Sequence, residues 1–371
     1  MTTIEEFSAG FVEEPGYLDY GKVGPLSSPV IAEISAHVEI VSRARFGSID
    51  RLASEDERMR RAVSAAIGFA PEQIVFQPNT STGLMQAMFG LTGGVLLSQA
   101  EFPSVTFAAV RASEAIHAVT PIWLETDHGR VTPGQIREQI TATTTAVAVS
   151  LVDSRTGYVA DIDGIRQVIG DRLLIVDAIQ GLGVVDAPYE VADVVASGGQ
   201  KWLRAGWGSG FLALSDRAIE RLTPVTSGFT GTSEKYPWDE VTPPLAAARA
   251  FTVSNPDLVA EARLAVALEE VVAVGVEAIA AAVAEGVDHV IDLADEFAIP
   301  VASSRDVSER AGIVVLQPEP QELTILAASL FNHGVSVTAG ATSVRVSVHA
   351  ATSAETLEMV RQSFVSFATA R

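Results

Sequence analysis

Between residues 74 and 214 short apolar runs alternate with amphipathic stretches, and this alternation limits the possible folds more than any other feature of the 371-residue chain. The runs at 73–76, 94–97, 122–124, 146–151, 173–177, 193–196 and 211–214 are too short for buried helices. Most are apolar throughout, as strands covered on both faces must be. Helical patterns at 29–45 and 54–69 come before them, and others lie between them. The pattern predicts an α/β fold built on a mainly parallel, doubly wound sheet. Residues 223–244 are rich in Pro, Gly, Ser and Thr and read as loop. Residues 256–294 carry Ala, Val and Glu at helical spacing and read as two packed helices. Strand, helix and strand patterns then run to 349, and a final helix covers about 354–368. The chain therefore divides into an irregular arm (1–28), a large domain (29–250) and a smaller C-terminal α+β domain (251–371).

Lysine is scarce. Of 25 basic residues only Lys22, Lys201 and Lys235 are lysines, and Lys201 closes the stretch Ser197-Gly-Gly-Gln200-Lys201 behind a short buried strand. An amine that must lose its proton and attack a carbonyl cannot be replaced by a guanidinium. From this segment alone, a loop lysine beside a strand end reads equally well. Upstream, Leu173-Leu-Ile-Val-Asp177 is an apolar strand ending in an acid, with Gln180 three residues later. A carboxylate at the end of a buried parallel strand points at a ligand crevice, and it is costly to bury unless it meets a cation or a donor. A protonated heteroaromatic nitrogen meets that need, so Asp177 and Lys201 are expected to grip one cofactor.

This pair resembles the class-V aminotransferase family of fold-type I enzymes that use pyridoxal 5′-phosphate (PLP), in which Asp-x-x-Gln and a Lys about twenty-four residues on recur together. The family includes aminotransferases, cysteine desulfurases, kynureninases and isopenicillin-epimerase-like proteins. The likeness covers nearly the whole chain. Asn79-Thr80-Ser81-Thr82-Gly83 is similar to the family's strand–turn–helix unit, whose helix N-terminus offers amides and hydroxyls to the cofactor phosphate. Glu101-Phe102-Pro103-Ser104 resembles the segment that lays a ring on the pyridine face. Ser150-Leu-Val-Asp-Ser154-Arg-Thr-Gly157 is similar to a segment packed against ring and substrate, with Leu151 where the family usually has histidine. Ser343-Val-Arg345-Val-Ser347 resembles the strand whose arginine takes the substrate carboxylate, and Tyr17-Leu-Asp-Tyr-Gly resembles the opening segment at the mouth of the site.

The resemblance implies a role for each of these residues. Lys201 carries PLP as a Schiff base and moves the Cα proton, Asp177 holds the pyridine nitrogen, Gln180 faces the phenolic oxygen and Phe102 covers the ring. Thr80, Ser81, Ser104 and Gln200 hold phosphate, with Ser154 and Ser197 beside them. Arg345 anchors a small amino-acid substrate, and Arg249 is the next candidate. The Gly228-Phe-Thr230-Gly-Thr232 loop reaches a neighbouring subunit, so a homodimer is expected. Gly206-Trp-Gly-Ser-Gly lacks the spacing of a dinucleotide fingerprint and reads as a turn after the lysine.

Composition removes other classes. A net charge of −21 disfavours nucleic acid, and no apolar run or signal-like start points to a membrane or export, so a cytoplasmic enzyme is expected. Without cysteine there are no thiolate metal sites, and the six histidines lack ligand spacing, so no metal is expected. A cysteine desulfurase needs its own thiolate to receive sulfur, so a persulfide-forming desulfurase is expected to be excluded. An aminotransferase is the first expectation, because Ser-Gly-Gly-Gln-Lys is nearest that branch. A C–S lyase, or a kynureninase-like or epimerase-like enzyme, is the alternative, and a PLP-binding regulator without chemistry is a third.

Overall fold

The computed structural model describes residues 2–234 and 239–371, so Lys235 and part of the loop at 223–244 lie outside the described residues. The strands of the large sheet are β1 (Ile74–Phe76), β2 (Gly93–Ser98), β3 (Val119–Leu124), β4 (Thr144–Ser150), β5 (Leu173–Asp177), β6 (Val194–Gly198) and β7 (Gly210–Leu214). They lie side by side in the order β1-β7-β6-β5-β4-β2-β3. β3, β2, β4, β5 and β6 pair in parallel, while β7 runs antiparallel to both neighbours. The reversal has a local cause. A parallel crossover needs roughly a dozen or more residues, usually with a helix, whereas residues 199–209 form only a turn. Lys201 sits in that turn.

Successive residues of a strand face opposite sides of the sheet. In β4 and β5, Val147, Val149, Leu174 and Val176 enter one core, while Ala146, Ala148, Leu173 and Ile175 enter the other. The sheet is therefore buried on both faces, which is why its strands lack polar alternation. Each buried Leu, Ile or Val of β5 contributes about 1.5–3 kcal/mol, and together they fix the strand end that carries Asp177.

In chain order the helices are α1 (Ile4–Ser8), α2 (Ser28–Arg43), α3 (Ser48–Leu52), α4 (Ser54–Ile67), α5 (Thr80–Gly90), α6 (Pro103–Ile116), α7 (Pro133–Gln139), α8 (Ile162–Val168) and α9 (Asp216–Arg221). α10 (Leu258–Val274), α11 (Val276–Glu296), α12 (Leu323–Asn332) and α13 (Ala354–Ala370) follow. A second, antiparallel sheet holds β8 (Ile313–Leu316), β9 (Thr338–Ala339) and β10 (Val344–Ser347) in the order β8-β10-β9. α10 lies beyond the expected boundary at 250, yet it packs on α2 and α4, while α11 packs on β8 and α13. No helix among the described residues is long and apolar enough to cross a membrane.

The arm is less irregular than its sequence reads. A capping box between Thr3 and Glu6 satisfies the free amides of α1. Further along, Leu18 N donates to Ser336 O and Ser347 N to Leu18 O, which attaches the arm to the second sheet. Gly24 N donates to Gln200 O at 2.8 Å, which attaches it to the Lys201 turn. A Cβ on Gly24 would stand 2.2 Å from the Lys201 carbonyl oxygen, so the position excludes any side chain. Gly24→Ala is therefore expected to destabilise the fold by about 1–3 kcal/mol. Urea unfolding measures this, and dialysis of the reconstituted protein should show faster cofactor loss.

Candidate active site

The C-terminal ends of β2, β4 and β5 and the turn after β6 meet at one crevice, where open α/β sheets bind ligands. Asp177 ends β5, is buried, and accepts from Ile179 N at 3.1 Å. Burial pushes its carboxyl up to about 6, against the downward pull of that hydrogen bond and of Lys201. Burial lowers the Lys201 amine to about 8; Asp177 pulls it back up, and Arg345 pushes it further down. The three charges thus share one crevice.

Phe102 stands at the head of α6, where Pro103 presets the first turn, and its ring centroid is 5.2 Å from Lys201 Nζ. The preceding Glu101 is buried and accepts from Ser150 N at 3.0 Å and Ser150 Oγ at 2.5 Å. Burial raises it to about 7 despite these bonds. Leu151, in the place of the family's histidine, is fully buried and packs against Gly181.

The α5 N-terminus faces the same region. Asn79 caps it by accepting from Thr82 N at 2.9 Å, and Ser81 Oγ lies 2.6 Å from Ser104 Oγ. Thr80 Oγ1 and Gln200 Oε1 are buried without a hydrogen-bond partner. A phosphate would satisfy the Thr80 hydroxyl, and turning the Gln200 amide would bring its NH₂ to the same group. Together with a perturbed lysine, a buried acid and an aromatic face, these orphaned groups fit PLP.

Three expected residues sit differently. Gln180 is committed to structure: its Nε2 donates to Gly21 O and its Oε1 accepts from Trp202 Nε1, both at 2.9 Å. Only its second N–H is left for a cofactor. Ser197 is fully buried on β6 and donates to Gly198 O, so its hydroxyl serves the backbone. Thr230 is not brought to the crevice of its own chain. It lines a separate cavity of about 420 Å³ with Arg60, Arg249 and Glu261. Arg249 donates to Thr230 O there, which removes it as a substrate anchor within the same chain.

Arg345 on β10 donates to Ser154 O and to Thr338 Oγ1, each at 3.1 Å, and lies 3.6 Å from Asp19 Oδ1. Ser154 thus contributes its carbonyl to Arg345. Thr338 in turn donates to Asp19 at 2.6 Å. Sequence reasoning quoted Asp19 and Glu101 inside motifs without giving them roles, and it missed Trp202 and Thr338; the signal was the position of Trp202 next to the lysine. Among the described residues Glu33, His37 and Glu55 also come together, but Arg58 bonds both acids at 2.5 and 3.2 Å and fills the cluster as an ion network.

Fold and crevice together define a PLP-dependent enzyme of fold type I. The chain belongs to the class-V aminotransferase family, whose description, Aminotransferase class-V, matches residues 32–371. A probable cysteine desulfurase of Methanothermobacter thermautotrophicus is 26% identical over 57% of this chain and 56% of its own length. The chain therefore matches just over half of that relative. A probable hercynylcysteine sulfoxide lyase of Mycobacterium tuberculosis is 35% identical over 30% of this chain and 26% of its own length. The cystine C–S lyase C-DES, solved with its reaction product cysteine persulfide, has the same fold: TM-score 0.83 at 17% identity, over 94% of this chain and 97% of that one.

The raised Glu101 gives a pH test. Its carboxyl moves from 4.5 to about 7 on folding, so the folded state binds the extra proton across that window. Stability conferred by the neutral form is present at low pH and is lost as pH rises through about 7, by roughly 3 kcal/mol in all. Urea titrations of the cofactor-free protein should show this fall. Glu101→Gln should remove its share of the fall, leaving the losses that belong to Asp177 up to about pH 6 and to Glu261 up to about pH 8.

Proposed function

We propose that this chain is a PLP-dependent lyase that breaks a C–S bond of a small sulfur-bearing amino acid and releases the sulfur fragment. The observation that carries the reading is the absence of any cysteine in the 371 residues of a chain whose relatives are described as a probable desulfurase and a probable sulfoxide lyase. Sulfur cannot be taken onto a thiolate of this chain. The expectation against the desulfurase branch narrows accordingly. It concerns a persulfide on this chain's own side chain, since C-DES has a free persulfide as product.

Bound in the crevice, PLP supplies a carbonyl for the substrate amine and an electron-accepting ring. Asp177 would keep a proton on the ring nitrogen, and Phe102 would cover one face of the ring. The Lys201 amine, held near 8, is close enough to neutral to take the Cα proton and return it. Arg345 takes the α-carboxylate while Asp19 and Thr338 hold its guanidinium. Leu151 and the buried strand ends exclude water. A second copy of the chain, presenting its Thr230 loop, would complete the site.

Transamination by the same residues is the second reading, favoured by the Ser197-to-Lys201 form. Product analysis separates the two. Pyruvate and ammonia in equal amounts from a cysteine-type substrate, without any acceptor, is the expected result; an absolute need for a 2-oxo acid would establish the transaminase instead. Lys201→Ala should abolish turnover, and borohydride should no longer fix cofactor to the chain. Should that variant still fix cofactor, Lys201 is not the attachment point.

Arg345 supplies a separate test. A bidentate carboxylate pair contributes about 1.5–3 kcal/mol, so Arg345→Ala should raise KM for amino acids roughly tenfold to a hundredfold and leave PLP bound. Arg345→Lys should rescue little, because an ammonium lacks the planar fork.

A further inference from the structure

Arg345, with Ser154 and Thr338, also lines a cleft of about 560 Å³. Its lining contains Arg155, Arg345 and His128, with Gln317, Thr342 and Ser343 among the polar groups, and no carboxylate. That is unusual for a chain of 46 acidic and 25 basic residues. Acids of the adjoining segments have partners. Asp153 accepts from Arg155 N, Thr156 N and Thr156 Oγ1, Asp127 lies 3.4 Å from His128, and Glu309 faces Arg130. Asp19 sits behind Arg345 and accepts from Thr338. The Arg155 guanidinium has no ion-pair partner among the described residues, and Asp153 holds the backbone of its loop in place.

The position of Arg155 links cleft and crevice. Its Nη2 lies 3.1 Å from where a Gly129 Cβ would stand, and the Ala100 Cβ lies 3.3 Å from the same point. Ala100 directly precedes Glu101 and Phe102. The free cation thus stands on the rim between the ring-facing segment and the open cleft. Arg345 is held by Ser154 O and Thr338 Oγ1, and Ser154 directly precedes Arg155, so the two guanidinia line one cleft with only Arg345 tied to the second sheet.

We propose that this cleft receives the distal end of the substrate side chain, and that the substrate carries a second anionic group, a carboxylate or sulfonate, which pairs with Arg155. The inference rests on the assignment of Arg345 to the α-carboxylate and deepens the proposed function by naming the substrate class. A charge-assisted pair on a partly exposed rim should favour the anionic substrate roughly tenfold, less so in high salt.

The test uses the PLP-loaded enzyme and two nearly isosteric probes, S-carboxymethyl-L-cysteine and S-carbamoylmethyl-L-cysteine. Affinity is read from the change in bound-cofactor absorbance, and turnover from pyruvate. The carboxymethyl compound should bind about tenfold tighter, with the gap narrowing in about 0.5 M salt. Arg155→Gln should close the gap by weakening only the carboxymethyl compound, and Arg155→Lys should keep part of it. Equal binding of both probes by the natural enzyme, or equal weakening of both by Arg155→Gln, overturns the proposal. Glutamate against glutamine repeats the comparison without sulfur. A glutamate preference lost in Arg155→Gln, with no response to either cysteine derivative, supports the cleft assignment and overturns the C–S reaction. Equal binding within both pairs overturns the cleft assignment while leaving the reaction standing.

Discussion

The carboxylate buried at the end of β5 has to be matched by positive charge, and the architecture around the crevice follows from that requirement. Asp177 is driven up by desolvation and Lys201 is driven down by it, and in both cases burial outweighs their mutual attraction. Such a pair does not recover its desolvation cost from Coulomb energy alone. What keeps it buried is the aliphatic strand on which Asp177 stands and the rigid turn on which Lys201 stands. In the proposed placement of PLP, a protonated pyridine nitrogen against Asp177 would supply the missing compensation.

The turn owes its rigidity to the N-terminal arm. Gly24 meets the Lys201 carbonyl, Gly21 receives the Gln180 amide, and Trp202 closes the relay through Gln180. Arg204 adds bonds to Pro25 O and Glu13 while its guanidinium lies over Phe11. Asp19 in the same arm sits behind the Arg345 guanidinium. One extended segment therefore fixes the lysine of the large sheet and the arginine of the small one, and in the proposed roles this sets the distance between the proton-transfer end and the carboxylate end of a substrate.

The parts of this arrangement visible in the sequence are those with a local signature. Apolar runs placed every strand of the large sheet to within a few residues; Asp177 ends such a run, Lys201 follows one, and Arg345 stands inside the alternating β10. β3 began three residues earlier than expected, at Val119, because its half-exposed residues do not form a continuous apolar run. The reversal of β7 and the strand order carry no local signal, since they depend on which connections hold a helix. Gln180 and Ser197 were recognised by position, yet their hydrogen bonds go to groups far away in sequence or to the backbone. The roles of Asp19 and Thr338 exist only after the arm and β9 have met Arg345, so no spacing could reveal them.

On the proposed assignment, the residues that choose the substrate lie in loops apart from the strand ends that would hold PLP. The groups that would hold PLP sit on strand ends and helix starts buried by two cores, where substitution disturbs packing. The cleft is built from the segments near His128, Arg155, Gln317 and Thr342, loops in which a side chain can change without moving the sheet. As proposed, Arg155 would set the charge met by a distal substrate group, while Lys201 and Asp177 lie outside the cleft. The resemblance to the family rests on the buried positions, whereas the proposed substrate preference rests on the rim. For this chain the informative rim residue is an unpaired cation in an otherwise strongly acidic protein.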